Sequence, residues 1–174
     1  MRSILHSGIV ALLVVSGAMA QTAAWRAATP SELASVVPSR ASVIGERIET
    51  EARTASGIVD THGHFIAGAV LITAGYSAEG KYSHYLTVQA PIEIGGVLLK
   101  PGEYVLGWDR MNAQDALRIH FNEAATGKLI GIATAHRIPG SSRVESLRIW
   151  PPAEKSTIQF GRFGLSYRMP GNKR

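Results

Sequence analysis

Short stretches in which hydrophobic and polar residues alternate follow one another along most of this chain. The stretch 116–123 shows the alternation most clearly, as an apolar row and a polar row: Leu117, Ile119 and Phe121 against Arg118, His120 and Asn122. A period of two residues places alternate side chains on opposite faces of a β-strand. The pattern therefore predicts a strand whose apolar row faces a core and whose polar row faces solvent.

Turn-forming residues separate these stretches at intervals of roughly 8–12 residues, which is typical of antiparallel sandwiches and barrels. Gly95-Gly96, between the apolar stretches 92–94 and 97–99, is a favoured two-residue hairpin loop. The segment 100–103, Lys-Pro-Gly-Glu, has the composition of a type II turn. The sequence predicts an all-β fold, a mainly antiparallel β-sandwich of about nine short strands, with a closed β-barrel as the alternative.

One short N-terminal helix is predicted ahead of the strands. The segment 29–32, Thr-Pro-Ser-Glu, combines a capping box with proline at the first helical position. Pro38 ends the helix, because proline lacks an amide hydrogen and clashes with the preceding turn. We expect Leu33, Val36 and Val37 to form its buried side, and the helix to close one end of the domain. No segment after Pro38 carries a helical period, which argues against parallel βαβ units.

The stretch 47–54 also alternates, and one of its faces consists entirely of charged residues: Arg47, Glu49, Glu51 and Arg53. Charged side chains along one face are typical of an edge strand, because they oppose pairing with another chain. We therefore expect this strand to lie at an edge of the sheet.

The first twenty residues have the three parts of a secretory signal peptide. Arg2 lies in a positively charged start, residues 9–15 are an uninterrupted apolar run, and Ala18-Met19-Ala20 is a small-residue cleavage site. The apolar run is too short to span a bilayer, which takes about 20 residues. No cysteine follows Ala20 to carry a lipid anchor. We expect cleavage after Ala20 and export to the periplasm or the extracellular space, with no transmembrane segment after cleavage.

This interpretation divides the chain into four parts. Residues 1–20 form the signal peptide, 21–44 a leader with the short capping helix, 45–168 the β-sandwich domain and 169–174 a basic tail. The chain contains no cysteine, so the exported domain must be stabilised by packing without disulfides.

Charge is distributed unevenly between the two halves that follow the predicted signal peptide. Residues 21–109 contain six Lys/Arg and nine Asp/Glu, a net charge of −3, whereas residues 110–174 contain eleven and four, a net charge of +7. A basic face suits an anionic or polysaccharide component of the cell envelope, although the two halves also neutralise each other within one body. The basic residues are scattered and no aromatic-plus-basic RNA motif is present, which excludes nucleic acid as a partner. The oligomeric state stays open.

The segment 95–106, Gly-Gly-Val-Leu-Leu-Lys-Pro-Gly-Glu-Tyr-Val-Leu, resembles a hairpin of certain secreted bacterial β-sandwich domains of unknown function. In those domains a glycine-rich turn and a Leu-x-Pro-Gly-x-Tyr turn join successive strands. The resemblance implies a sandwich fold and an exported location, and it implies no activity, because a fold alone does not carry one.

His62 and His64 form a candidate metal-binding pair. Residues at i and i+2 of a strand face the same way, and imidazole binds Zn, Cu, Fe or Ni. A metal-dependent enzyme would need further ligands, with a third histidine drawn from the rest of the chain: His84, His120 or His136. The alternative is a hairpin turn, because histidine tolerates a left-handed backbone. The incomplete ligand set favours the turn, and we predict no metal and no cofactor.

Two polar rows on later strands form the candidate binding surface. They are Arg118, His120 and Asn122 in the stretch 116–123, and Ser146, Arg148 and Trp150 in the stretch 144–150. Guanidinium groups and an indole are groups with which proteins hold anionic polymers and sugars. If the two rows share a sheet they form one recognition surface, and the alternative is an ordinary solvent-facing side of an antiparallel sheet.

These observations favour an exported, non-enzymatic β-sandwich module that binds a polymer or a small ligand, or an envelope-associated structural protein. Its predicted binding residues are Arg118, His120, Asn122, Arg148 and Trp150, and no residue is assigned to catalysis. One alternative is a metal-dependent enzyme built on His62 and His64. The other is a lipocalin-like barrel with an internal apolar cavity, which the small residues of 67–69 and 133–135 suit.

Overall fold

Thirteen β-strands and one α-helix make up the part of the chain that the structure, a computed structural model, describes: residues 24–73, 82–111, 115–140 and 143–170. The elements are β1 (Arg26–Ala27), α1 (Pro30–Val36), β2 (Arg40–Val43), β3 (Glu46–Val59), β4 (Phe65–Leu71), β5 (His84–Val88), β6 (Ile92–Ile94), β7 (Val97–Leu99), β8 (Gly102–Arg110), β9 (Ala116–Glu123), β10 (Leu129–Arg137), β11 (Glu145–Ile149), β12 (Thr157–Gly161) and β13 (Phe163–Arg168). The predicted signal peptide, its cleavage site at Ala20 and the end of the basic tail lie outside the described residues.

All pairs of neighbouring strands are antiparallel, and most strands follow one path, β1-β3-β4-β5-β8-β9-β10-β13-β12-β11. The sheet curls into a nearly closed barrel. The predicted all-β antiparallel fold with one short helix is confirmed, and the barrel-like closure matches the alternative named with the sandwich. The strands outnumber the nine expected, partly because β1 and β2 lie in the segment 21–44, where only the helix was predicted.

The charged stretch 47–54 does not form a free edge as predicted. It belongs to β3, which pairs with β4 on one side and with β1 and β2 at its two ends on the other. Arg47, Glu49 and Arg53 are exposed on the outer surface of the sheet. A charged row therefore marks a solvent face here, and a second strand can still pair along the backbone of β3.

The first and last long strands of the path, β3 and β11, meet at a seam. The amide of Ile149 donates a hydrogen bond of 2.9 Å to Ser56 Oγ, and this bond is buried. Alternate amides of a strand point in opposite directions, and the next amide, that of Trp150, bonds to Thr157 O at the start of β12. The Ile149 amide therefore points away from β12 and toward β3, where a side chain receives it.

The main core lies inside the curled sheet, and two smaller clusters lie on its outer face. In β4, Ile66 belongs to the inner core, whereas Ala67 and Ala69 pack against Leu33 of α1. The helix begins with the predicted capping box and with proline at its start, but it does not close an end of the domain. It covers the outer face of β3 and β4, where alanines leave room for it.

The β6–β7 hairpin fills part of the interior. β10 and β13 pair only through His136 and Arg137 and then separate, while β6 pairs with the far end of β13. The apolar residues of the hairpin, Ile92, Ile94 and Leu99, are fully buried in the main core. The opposite end, where β10 meets β13, is left for a cavity.

Two glycine turns were predicted here, one within this hairpin and one directly after it, and the structure confirms only the first. Gly95 and Gly96 have φ values of +55° and +89°, which confirms the predicted two-residue loop because both positions need a left-handed backbone. Gly102 is not among the glycines with positive φ, so the predicted type II turn is wrong. Gly102 is already the first residue of β8, and the strand holds it extended.

Candidate ligand-binding site

A cavity of about 710 Å³ opens at the end of the curled sheet where β10 meets β13. Its walls come from strand ends that are distant in sequence: the end of β8, the start of β9, the end of β10 and the β12–β13 turn. The start of β5 and the residue Ser146 of β11 also contribute, so side chains from seven strands line one opening. Antiparallel pairing allows this because it brings the end of one strand beside the start of the next.

The inner wall of the cavity is apolar and aromatic. Leu117 and Phe160 are 8% and 5% exposed, and Phe163 and Met111 are half-buried nearer the opening. The odd-numbered residues of β9 point inward, which is the alternation that the sequence predicted for Leu117, Ile119 and Phe121. These side chains give the cavity a surface that water hydrates poorly.

His84 completes the inner wall as a neutral ring. Its Nε2 lies 3.1 Å from Ser146 O, which can only accept, so Nε2 carries a hydrogen, and Nδ1 lies 2.8 Å from Ser83 Oγ. Burial lowers the pKa of His84 below its ordinary value, although the bond to Ser146 O opposes the change. The ring also meets Phe160 edge to face, with ring centroids 5.1 Å apart. His84 therefore adds no charge to the apolar wall.

Three arginines stand at the opening of the cavity. Arg137 pairs with Asp115, with Nε 3.2 Å from the carboxylate. Arg110 and Arg162 also line the cavity and are exposed, and neither forms an ion pair with another described residue. The rim therefore presents two uncompensated guanidinium groups, each able to donate paired hydrogen bonds to a carboxylate or phosphate.

The first predicted polar row, on β9, lies on the outer face of the sheet and not in this cavity. Arg118 is exposed there, and His120 is held by Asp109, with Nε2 2.8 Å from the carboxylate. Asn122 is only 8% exposed, contrary to the expectation that it faces solvent. Arg118 is thus the one member of the row that is both exposed and without a side-chain hydrogen bond within the described residues.

The second predicted row lies on β11 and at its end. Arg148 and Lys155 place their cations 4.9 Å and 4.4 Å from the centre of the Trp150 ring. The Trp150 indole nitrogen donates to Gln159 Oε1 at 3.2 Å. The strands β10, β13 and β12 stand between β9 and β11 in the sheet. The structure therefore puts the two rows in one sheet but does not bring them side by side.

His62 and His64 lie in the exposed turn between β3 and β4, and no third histidine joins them within the described residues. His84 lines the cavity, His120 bonds to Asp109 and His136 lies on β10. Asp60 joins the pair instead. Burial raises the pKa of Asp60, but hydrogen bonds from the His64 ring and from the two histidine amides outweigh it and lower the pKa overall.

Sequence reasoning assigned no residue to this cavity. It treated Leu117 as core packing, His84 as a possible third metal ligand and Ser146 as part of a polar row, yet all three line the cavity. Arg110 and Arg137 end β8 and β10, and Arg162 directly follows β12. A cation at a strand end can line a site or simply face solvent. No local pattern distinguishes the two situations, because the strand order decides which ends share an opening.

Compared with protein-family models, with curated proteins and with solved structures, the chain shows no match. Within the described ranges, no helix reaches the length and hydrophobicity that a membrane crossing requires. The functional interpretation therefore depends on the geometry of the site.

Proposed function

We propose that this chain is an exported, non-enzymatic binding protein that takes up a small amphipathic anion, of the kind of a medium-chain carboxylate, in the cavity of its curled sheet. The observation that carries the proposal is the combination of an apolar inner wall with two unpaired arginines at the opening. Export is part of the proposal, and the pattern of residues 1–20 supports it.

The apolar part of such a ligand matches the inner wall. A volume of about 710 Å³ falls within the range of about 300–1,000 Å³ that small-molecule sites occupy. The inner wall carries no charged group that an alkyl chain would leave without a partner, because it consists of Leu117, Phe160 and the neutral His84 ring. Each additional buried methylene contributes about 0.8 kcal/mol, so affinity should rise roughly fourfold with each carbon until the cavity is filled.

The anionic end matches the rim. Arg110 and Arg162 are free to donate to a carboxylate, whereas Arg137 is already ion-paired with Asp115. A hydrogen bond to a charged group contributes about 1.5–3 kcal/mol, which corresponds to a tenfold or larger change in affinity. The rim therefore selects a carboxylate over the matching alcohol or methyl ester.

Isothermal titration of the purified protein with sodium octanoate, decanoate and dodecanoate tests the proposal. We expect one site per chain and an affinity that increases with chain length. The double substitution Arg110→Gln and Arg162→Gln should weaken decanoate binding by about tenfold or more and leave binding of decanol nearly unchanged.

The matched control is Arg118→Gln with Arg148→Gln, which removes two arginines from the outer polar rows and leaves the cavity intact. Unchanged decanoate binding in this control assigns the site to the cavity. A lack of saturable binding by wild-type protein would refute the proposal, and so would an equal loss in both double variants. A pull-down on insoluble envelope polysaccharide tests the outer rows separately. If only the control variant lost retention in that assay, the outer rows would become the better-supported site.

A further inference from the structure

The turn between β3 and β4 holds one carboxylate and two imidazoles in a fixed arrangement. Asp60 Oδ1 accepts hydrogen bonds of 2.8 Å from the backbone amides of both His62 and His64. Gly63, with a φ of +83°, reverses the chain between the two histidines. The amide of Asp60 closes the turn on His64 O at 3.0 Å. One carboxylate oxygen thus organises the turn, and the second is left for the two rings.

The second oxygen of Asp60 faces both imidazoles. Asp60 Oδ2 lies 3.0 Å from His64 Nδ1 and 3.7 Å from His62 Nδ1. One ligating atom from each of the three side chains lies within 4.8 Å of the other two. Ligands at 2.0–2.2 Å from a shared ion stand about 3–3.5 Å apart, so the two distances from Asp60 Oδ2 to the imidazoles are already close to those of a coordinated set.

We propose that Asp60, His62 and His64 form a binding site for a divalent first-row transition metal ion. Two imidazoles and one carboxylate are a donor set for Cu²⁺, Ni²⁺ or Zn²⁺, and affinity should be greatest for Cu²⁺. Mg²⁺ and Ca²⁺ prefer sites built from oxygen ligands alone, and should not compete.

The exposure of the two imidazoles and the anchoring of Asp60 suit this role. The Asp60 side chain is 5% exposed and anchored by two amides, whereas the His62 and His64 side chains are 67% and 52% exposed. A fixed carboxylate gives the ion a defined position, and the exposed rings can turn to meet it without disturbing the core. The solvent side of the ion is left to water or to an external ligand.

Isothermal titration of the purified protein with CuCl₂, NiCl₂ and ZnCl₂ tests the site, with MgCl₂ and CaCl₂ as comparisons. We expect one transition ion per chain. The substitutions His62→Gln and His64→Gln should each weaken binding by about tenfold or more. Even the loss of a residue that only hydrogen-bonds to a metal ligand lowers metal affinity by about 10–100-fold. Asp60→Asn keeps the oxygen that accepts the two amides and removes the charge, and should weaken binding similarly.

His136→Gln is the matched control, because His136 is exposed on β10 and belongs to no such group within the described residues. The affinity of His136→Gln for the metal ion should stay within about twofold of that of the wild-type protein, a change of under 0.5 kcal/mol. Failure of the wild-type protein to bind one ion would overturn the proposal, as would unchanged binding by both histidine variants. If Asp60→Asn fails to fold, the two histidine variants decide the outcome. The site does not involve the cavity, so failure of carboxylate binding would leave it untouched.

Discussion

Replacing Ser56 with alanine removes the hydroxyl that joins β3 to β11 at the seam of the curled sheet. The change deletes one oxygen from a side chain that is 5% exposed, and it leaves the apolar core and every strand ladder in place. The amide of Ile149 then has no hydrogen-bond acceptor, and it lies at a buried position that water does not reach. Ser56→Ala therefore tests whether this single bond closes the sheet.

The expected cost follows from the burial of the orphaned amide. Leaving a buried donor without its acceptor lowers the free energy of unfolding by about 1–3 kcal/mol, because the group is removed from water and forms no hydrogen bond in the protein. We expect a loss of about 2 kcal/mol in the free energy of unfolding. In a domain of this size each kcal/mol lowers Tm by about 2–4 °C.

Urea unfolding followed by circular dichroism measures this loss. Ser166→Ala is the matched control, because Ser166 lies exposed on β13 and its hydroxyl has no hydrogen bond within the described residues. The control should change stability by less than about 0.5 kcal/mol. Hydrogen exchange adds a local measurement, since the Ile149 amide should be protected in the wild-type protein and exchange faster in Ser56→Ala.

A loss below about 0.5 kcal/mol in Ser56→Ala would refute the reasoning. The same conclusion would follow if Ser166→Ala cost as much, or if the Ile149 amide exchanged at the same rate in both proteins. In each case another contact would have to hold β3 against β11.

Two further predictions concern the helix cap and the packing of β4. The Glu32 carboxylate has a pKa lowered to about 2, chiefly by the hydrogen bond from Arg26 and then by that from the Thr29 amide. The contribution of the ionised carboxylate to folding stability is therefore complete above pH 4.5 and is lost as the pH falls toward 2. Wild type and Glu32→Gln should therefore differ in urea stability at pH 6 and converge near pH 2, and a constant difference across that range would contradict the ion pair. A Cβ on Gly68 would overlap the backbone oxygen of Tyr85 on β5, so Gly68→Ala should cost about 1–3 kcal/mol by overpacking. An unchanged urea midpoint would show that β4 and β5 are not so close.

Local patterns were enough to place most strands. The predicted stretch 116–123 is β9, and the stretches around Gly95-Gly96 are β6 and β7, with the same bounds. These elements were predictable because a two-residue period and a glycine pair with positive φ depend on neighbouring residues. The predicted edge position of 47–54 was wrong for the opposite reason. Whether a strand lies at an edge depends on which other strands pair with it, and not on its own residues.

The candidate site was much less predictable than the strands. The outer rows were identified from their residue types, but their separation by three strands follows from the strand order. His62 and His64 were identified as a pair, yet Asp60 was missed although it lies only two residues before His62. The turn brings its carboxylate back onto the rings, and no periodic pattern signals that reversal.

The sequence by itself determined the period of the strands, the cap and end of α1, and the glycine loop of the hairpin, since each depends on contacts within a few residues. Only the tertiary structure decided that the sheet curls, that α1 lies on its outer face and that Arg110 and Arg162 meet at one opening. The physical reason is distance along the chain. The closing bond joins Ser56 to Ile149, 93 residues apart, and such a contact forms only when the intervening strands have all paired in one order.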